Sequence, residues 1–196
     1  MRWRRVVNVF AWDYKARMTE NKSLEPTGRP TAPAAASGGV LPLEAFAPAI
    51  APGARLIGID VGTKTLGLAL SDVSRMIASA LETIRRTKFK VDADRLLGLA
   101  RTHNVGGFVV GLPINLDGSQ GPRAQASRAF ARNLAALTGA PILLWDERLS
   151  TAEAERMLID ADTSRKRRAE VIDKLAATLI LQGALDRMRL VRVARE

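Results

Sequence analysis

Three acidic residues, Asp60, Glu147 and Asp173, stand where a carboxylate could do chemistry. Asp60 ends the apolar run of "RLIGIDVGTKTLGLALSD" (residues 55–72), and a glycine turn and a second apolar run follow it. Two chemistries use that pattern. One folds the turn around ATP phosphates; the other uses the acid to hold a metal ion that cleaves a phosphodiester. A buried carboxylate without a partner is costly, so Asp60 needs a metal, a cation or a cluster of donors. The plainer reading is a turn aspartate satisfied by nearby amides. Two-metal phosphodiester cleavage needs several carboxylates around cations ~3.5–4 Å apart. They must come from different elements, because neighbours on one strand point to opposite faces.

"WDERLST" supplies the next acids, Asp146 and Glu147, at the end of an apolar run. They alternate in facing, so one of them enters a site. Glu147 is the choice, with Asp146 bonded to a neighbouring amide or to Arg148. A strand-end cap with a salt bridge is the alternative. "VIDKLAATLI" supplies Asp173 on a helix whose apolar face reads as Val171, Ile172, Leu175, Leu179 and Gly183. Asp173 falls on the flank of that face, above Ala177, Ile180 and Ala184, where small residues would let the helix approach a sheet. An aspartate in such a place is otherwise simply solvated.

Candidate substrate contacts surround these acids. Lys64 and Arg148 adjoin them in sequence, and "GLPINLDGSQGPR" offers Asn115 and Arg123 to phosphates. "RKRR" places Arg165, Arg167 and Arg168 in a basic loop before the last helix, able to neutralise a phosphate backbone. Its alternative is a solvated charge run. Trp145 reads as core, and His103 as a helix-ending residue with no catalytic part.

The elements that must position these residues follow from the hydrophobic pattern. "RLIGID", "LGLALS" and "SALETIRR" read as consecutive strands. "VDADRLLGLARTHN" reads as a helix and "GGFVVGLP" as a buried strand. A helix ending at Gly139 comes next, then the strand "PILLWDE", a capped helix from "STAEAERMLID", and a last helix from "VIDKLAATLI". The order β-β-β-α-β-α-β-α-α predicts an α/β domain over residues 55–190. Its five-stranded mixed sheet has three antiparallel then two parallel strands, with helices on both faces. Residues 191–196 form a tail.

Residues 1–54 read as a mostly disordered Pro/Ala/Gly-rich extension, because such a composition buries too little surface to offset its ordering entropy. Within it, "LPLEAFAPAI" is the one piece apolar enough to dock on the domain. The basic start is not a signal peptide, and Met18 is an alternative translation start that the intact mass of the native protein would test. No run approaches the ~20 apolar residues of a membrane span.

Composition narrows the chemistry. With no cysteine and one histidine, thiolate metal sites, histidine-zinc sites and a Ser-His-Asp triad are all disfavoured. Metal chemistry must rest on oxygen ligands, which favours Mg²⁺ or Mn²⁺. Thirty Lys+Arg against twenty Asp+Glu give a formal charge of +10, which makes nucleic acid the leading partner.

"GIDVGTKTLGLALSD", "VVGLPINLDGS", "WDERLST" and "VIDKLAA", in this order, resemble the YqgF family of RuvC-like nucleases with an RNase H-like fold. The resemblance covers about residues 55–190. It implies that Asp60, Glu147 and Asp173 are the catalytic metal ligands, and that the chain matures the ends of pre-16S rRNA in a bacterial cytoplasm as a monomer or weak homodimer. RuvC relatives take a glutamate from the fourth strand. Here that strand reads "VVGLP", so Glu147 must serve from its neighbour. Alternatives are a Holliday-junction DNA resolvase, which needs two sites and hence a dimer, and a non-catalytic RNA-binding assembly factor. The ATPase reading fails for want of a second Asp-x-Gly motif, an adenosine motif and a second lobe.

Overall fold

The computed structural model describes residues 39–149 and 165–193. In chain order the elements are β1 (Val40–Leu41), α1 (Leu43–Ala49), β2 (Arg55–Val61), β3 (Thr65–Ser71), β4 (Ala78–Arg85), α2 (Phe89–Thr102), β5 (Val105–Leu112), α3 (Pro122–Thr138), β6 (Ile142–Asp146), a 3₁₀ turn (Glu147–Leu149) and α4 (Arg165–Val193). The sheet runs β1-β6-β5-β2-β3-β4. β2, β3 and β4 form the antiparallel meander, and β5, β6 and β1 extend it in parallel. This is the mixed RNase H-like arrangement, with one strand more than the expected five.

The extra strand comes from the segment expected to be disordered. β1 pairs with β6 at the sheet edge, and α1 follows it. Phe46 is fully buried and Ile50 nearly so. Both fit over Gly107, where a Cβ would lie 3.2 Å from the Phe46 ring and 2.5 Å from Ile50 Cδ1. Burying one such side chain contributes about 1.5–3 kcal/mol, which adds to the pairing of β1 with β6 in holding the segment. The composition of residues 22–54 as a whole hides this local gain. Among the described residues, folded elements begin at Val40, not at Arg55. Residues 1–38 and the helix expected from "STAEAERMLID" lie outside the described residues.

The sheet's two faces differ. On one, Ile57, Ile59, Leu66, Leu68, Phe108, Val110 and Ile142 are fully buried. This is the side of α2 and α3, which meet through an edge-on contact between Phe89 and Phe130. On the other, α4 packs with Leu56, Ala69, Val109, Leu143 and Trp145, as expected for Trp145. α3 stops at Gly139, whose φ of 66° is the left-handed conformation glycine tolerates, and its N–H donates to the Ala135 carbonyl at 2.8 Å.

Two expectations about α4 change. The backbone of residues 165–168 belongs to its first turns and is not a loop before it, and the helix runs on to Val193, through the start of the expected tail. Its buried stripe is Ala177, Ile180, Leu181, Ala184 and Leu185, whereas Leu175, Leu179 and Gly183 are only half-buried. Asp173 lies one turn before Ala177, so it heads the buried stripe instead of flanking it. Among the described residues no helix is long and apolar enough to cross a membrane.

Candidate active site

Asp60 lies near the end of β2 on the α4 face, two residues beyond Gly58, whose missing Cβ makes room for Leu181. Its partner across β3 is Gly67. A Cβ on Gly67 would come within 2.1 Å of the Asp173 carbonyl oxygen. The α4 backbone thus rests directly on the sheet beside Asp60. Thr65 Oγ1 donates to Asp173 Oδ2 at 2.7 Å and fixes that carboxylate. Asp60 and Asp173 line one cleft of about 930 Å³, together with Lys64, Arg85, Arg86 and Arg123.

Glu147 enters from the turn after β6. Its Oε1 occupies the space above Gly111, 2.5 Å from where a Cβ would stand. Glycine on β5 leaves the volume that the Glu147 carboxylate fills. Asp146 faces away, as strand alternation demands. It accepts from the Arg148 amide at 3.0 Å and from both ends of the Arg148 guanidinium, with Nη2 at 2.7 Å. Those bonds hold the Asp146 carboxyl below its usual range.

The other two acids shift the opposite way. Burial, then repulsion from Asp173, raises the Asp60 pKa against the pull of Arg123. Burial, then repulsion from Asp60, raises Glu147 to about 7, again opposed by Arg123. Negative charge is held here at a cost that a bound cation would relieve. The donor set is all oxygen, the chemistry suited to Mg²⁺ or Mn²⁺. Among the described residues no three such groups are drawn together at metal-ligand spacing. The residues fit a divalent cation by donor type and charge.

The profile of the RuvX family, "Holliday junction resolvase", matches residues 54–187. A protein of Beijerinckia indica named "Putative pre-16S rRNA nuclease" is 62% identical over 149 residues, covering 76% of this chain and 90% of that protein. The chain belongs to the RuvX family. A Bradyrhizobium protein (strain BTAi1) of the same name is 64% identical over 137 residues, 70% of this chain and 85% of its own. Among solved structures, Thermus thermophilus RuvC in complex with Holliday junction substrate is 17% identical, with a TM-score of 0.47 over 69% of this chain and 96% of that one. The resemblance carried by the four motifs is borne out, and the family is one of nucleases.

Of the expected substrate contacts, Lys64 and Arg123 line the cleft and two others do not. Asn115 is exposed in the loop after β5, where its Nδ2 donates to Ser119 Oγ at 2.8 Å. Arg148 is engaged by Asp146. The side chains of Arg165, Arg167 and Arg168 lie outside the described residues. The sequence reading missed Thr65, Thr83, Arg85 and Arg86. The signal was "ETIRR" itself: an antiparallel third strand ending in two arginines must return them to the end of the hairpin that carries Asp60.

Proposed function

We infer that this chain is a divalent-metal-dependent nuclease that trims the ends of pre-16S rRNA in the bacterial cytoplasm. The supporting observation is that Asp60 and Asp173, from two elements, share a cleft bearing four cationic side chains, while Glu147 from a third element stands near enough to Asp60 to be repelled by it. Asp60, Glu147 and Asp173 would hold Mg²⁺ or Mn²⁺, which when bound supplies an activated water and stabilises a leaving oxygen. Lys64 and Arg123 would draw the phosphate backbone into the cleft. Thr65 holds the Asp173 carboxylate in place, and the α4 stripe excludes water beneath it. The described residues from Val40 to Val193 would belong to the nuclease domain.

The test is cleavage of an end-labelled rRNA precursor and of a four-way DNA junction, with Mg²⁺ or Mn²⁺. Asp60→Asn should lower the rate at least about 10³-fold, as loss of one member of a concerted set does. Unchanged cutting by that variant would remove Asp60 from the mechanism. The second reading, a junction resolvase, is favoured by the family's own description. Preference for the junction, with a dimer by light scattering, would select it. Tight RNA binding with no cutting of either substrate would select an assembly factor.

A further inference from the structure

We propose that the two arginines at the end of β4 divide their work: Arg85 holds a substrate phosphate beside Asp173, and Arg86 is a positioning residue that pins the turn between Asp60 and Thr65. The proposal deepens the nuclease reading and rests on it.

Register carries the first half. Residues directly opposite in an antiparallel pair share a face. Asp60 stands opposite Gly67, Gly67 opposite Thr83, and Thr65 opposite Arg85. Arg85 therefore shares the α4 face with Asp60 and adjoins Thr65, the donor to Asp173. It is exposed, and β4 is an edge strand with no further strand beside it among the described residues, which leaves room for a polynucleotide. Arg95, which also borders β4, is already committed to Glu82 through a forked ion pair at 2.6 Å. Arg85 has no such carboxylate among the described residues. A guanidinium with no carboxylate partner among the described residues, in a cleft with two acids, is suited to the forked contact that arginine makes with phosphate.

Hydrogen bonds carry the second half. The Arg86 amide donates to the Lys64 carbonyl at 2.9 Å, and its Nη1 donates to the Gly62 carbonyl at 2.6 Å. Both ends of the 62–64 turn are thereby tied to the residue that follows β4. Asp60 lies two residues before that turn. Thr65 follows it immediately and holds Asp173. One side chain thus governs the spacing of two acids from different elements, and a loosened turn would move them apart without removing either.

Steady-state cleavage of the end-labelled rRNA precursor separates the two roles, alongside binding of that RNA by the Asp60→Asn protein across a salt series. Arg85→Ala should raise KM about tenfold with kcat nearly kept, and make the slope of log K against log salt shallower by ~0.7, the value of one phosphate contact on a single strand. Arg86→Ala should lower kcat about 10- to 100-fold through misplacement, leaving the salt slope intact. Arg86→Lys, which keeps a donor for the Gly62 carbonyl, should recover part of that loss, and it carries the test if the alanine variant does not fold. An unchanged KM and slope in Arg85→Ala, or a shallower slope with kcat kept in Arg86→Ala, overturns the division alone. A wild-type protein that cuts neither RNA nor junction overturns the nuclease reading and the division together.

Discussion

The two faces of the sheet solve opposite problems. Toward α2 and α3 the strands present Ile57, Ile59, Leu66, Leu68, Phe108 and Val110, large side chains with no exposure at all. Toward α4 the same strands present Gly58, Gly67 and Gly111, where a Cβ would collide with the helix or with Glu147. One face gains stability from apolar volume. The other gives up side chains so that a helix backbone and a carboxylate can come within reach of Asp60. Alternation along each strand lets one sequence serve both ends, since every second residue belongs to the other face.

Breaking the bulky face should cost stability and spare the chemistry. Phe108→Ala should destabilise by about 3–5 kcal/mol, the usual range for a buried aromatic truncated to alanine. Thermal unfolding would show it as a fall of roughly 10 °C, while kcat well below the melting range stays near wild type. An equal fall in kcat would mean the two faces are not separable. Breaking the glycine face should do the reverse. Gly67→Ala places a methyl group against the α4 backbone, so either β3 or the helix must shift. Overpacking of this kind costs about 1–3 kcal/mol. The movement falls on Asp173, so kcat should drop about 10- to 100-fold, more than the stability loss alone explains. Full activity in Gly67→Ala would show that the close approach is not needed.

The bulky face was legible in the sequence and the glycine face only in part. Runs such as "LIGI" and "FVV" announce buried strands whatever they pack against. The acids were legible too, because a carboxylate inside an apolar run contradicts its surroundings. The glycines of "LGLAL" and "VVGLP" read as turn or strand punctuation, since sequence does not tell which backbone approaches them. For the same reason the buried stripe of α4 was misplaced: hydrophobicity picks out Leu175 and Leu179, whereas the buried side is the one that meets the glycines of the sheet, with Ala177 and Leu181 over Gly58. Arg85 and Arg86 depend on strand register, a long-range property. Within segment 39–53, "LPLEAFAPAI" was legible as a docking piece, but its neighbours' composition hid the strand and helix it forms.

Glu147 sharpens the comparison by the smallest effect, because its charge is held on the glycine face, where burial and Asp60 oppose it. Its pKa stands at about 7 against an ordinary 4.5. The folded metal-free protein therefore binds more protons than the unfolded chain between those values, and stability must fall as pH rises through that window. Below 4.5 both states are protonated and the contribution is complete; above 7 it is gone. Solvent reaches part of the carboxylate, so the loss is on the order of 1 kcal/mol and not the full linkage value. Denaturant unfolding in chelator at pH 4.5, 6 and 7.5 would show the decline. Glu147→Gln should flatten Glu147's share of it, because glutamine keeps the shape above Gly111 without the charge. An identical slope in wild type and variant would mean that Glu147 ionises freely, and that the space over Gly111 is not the site of strain.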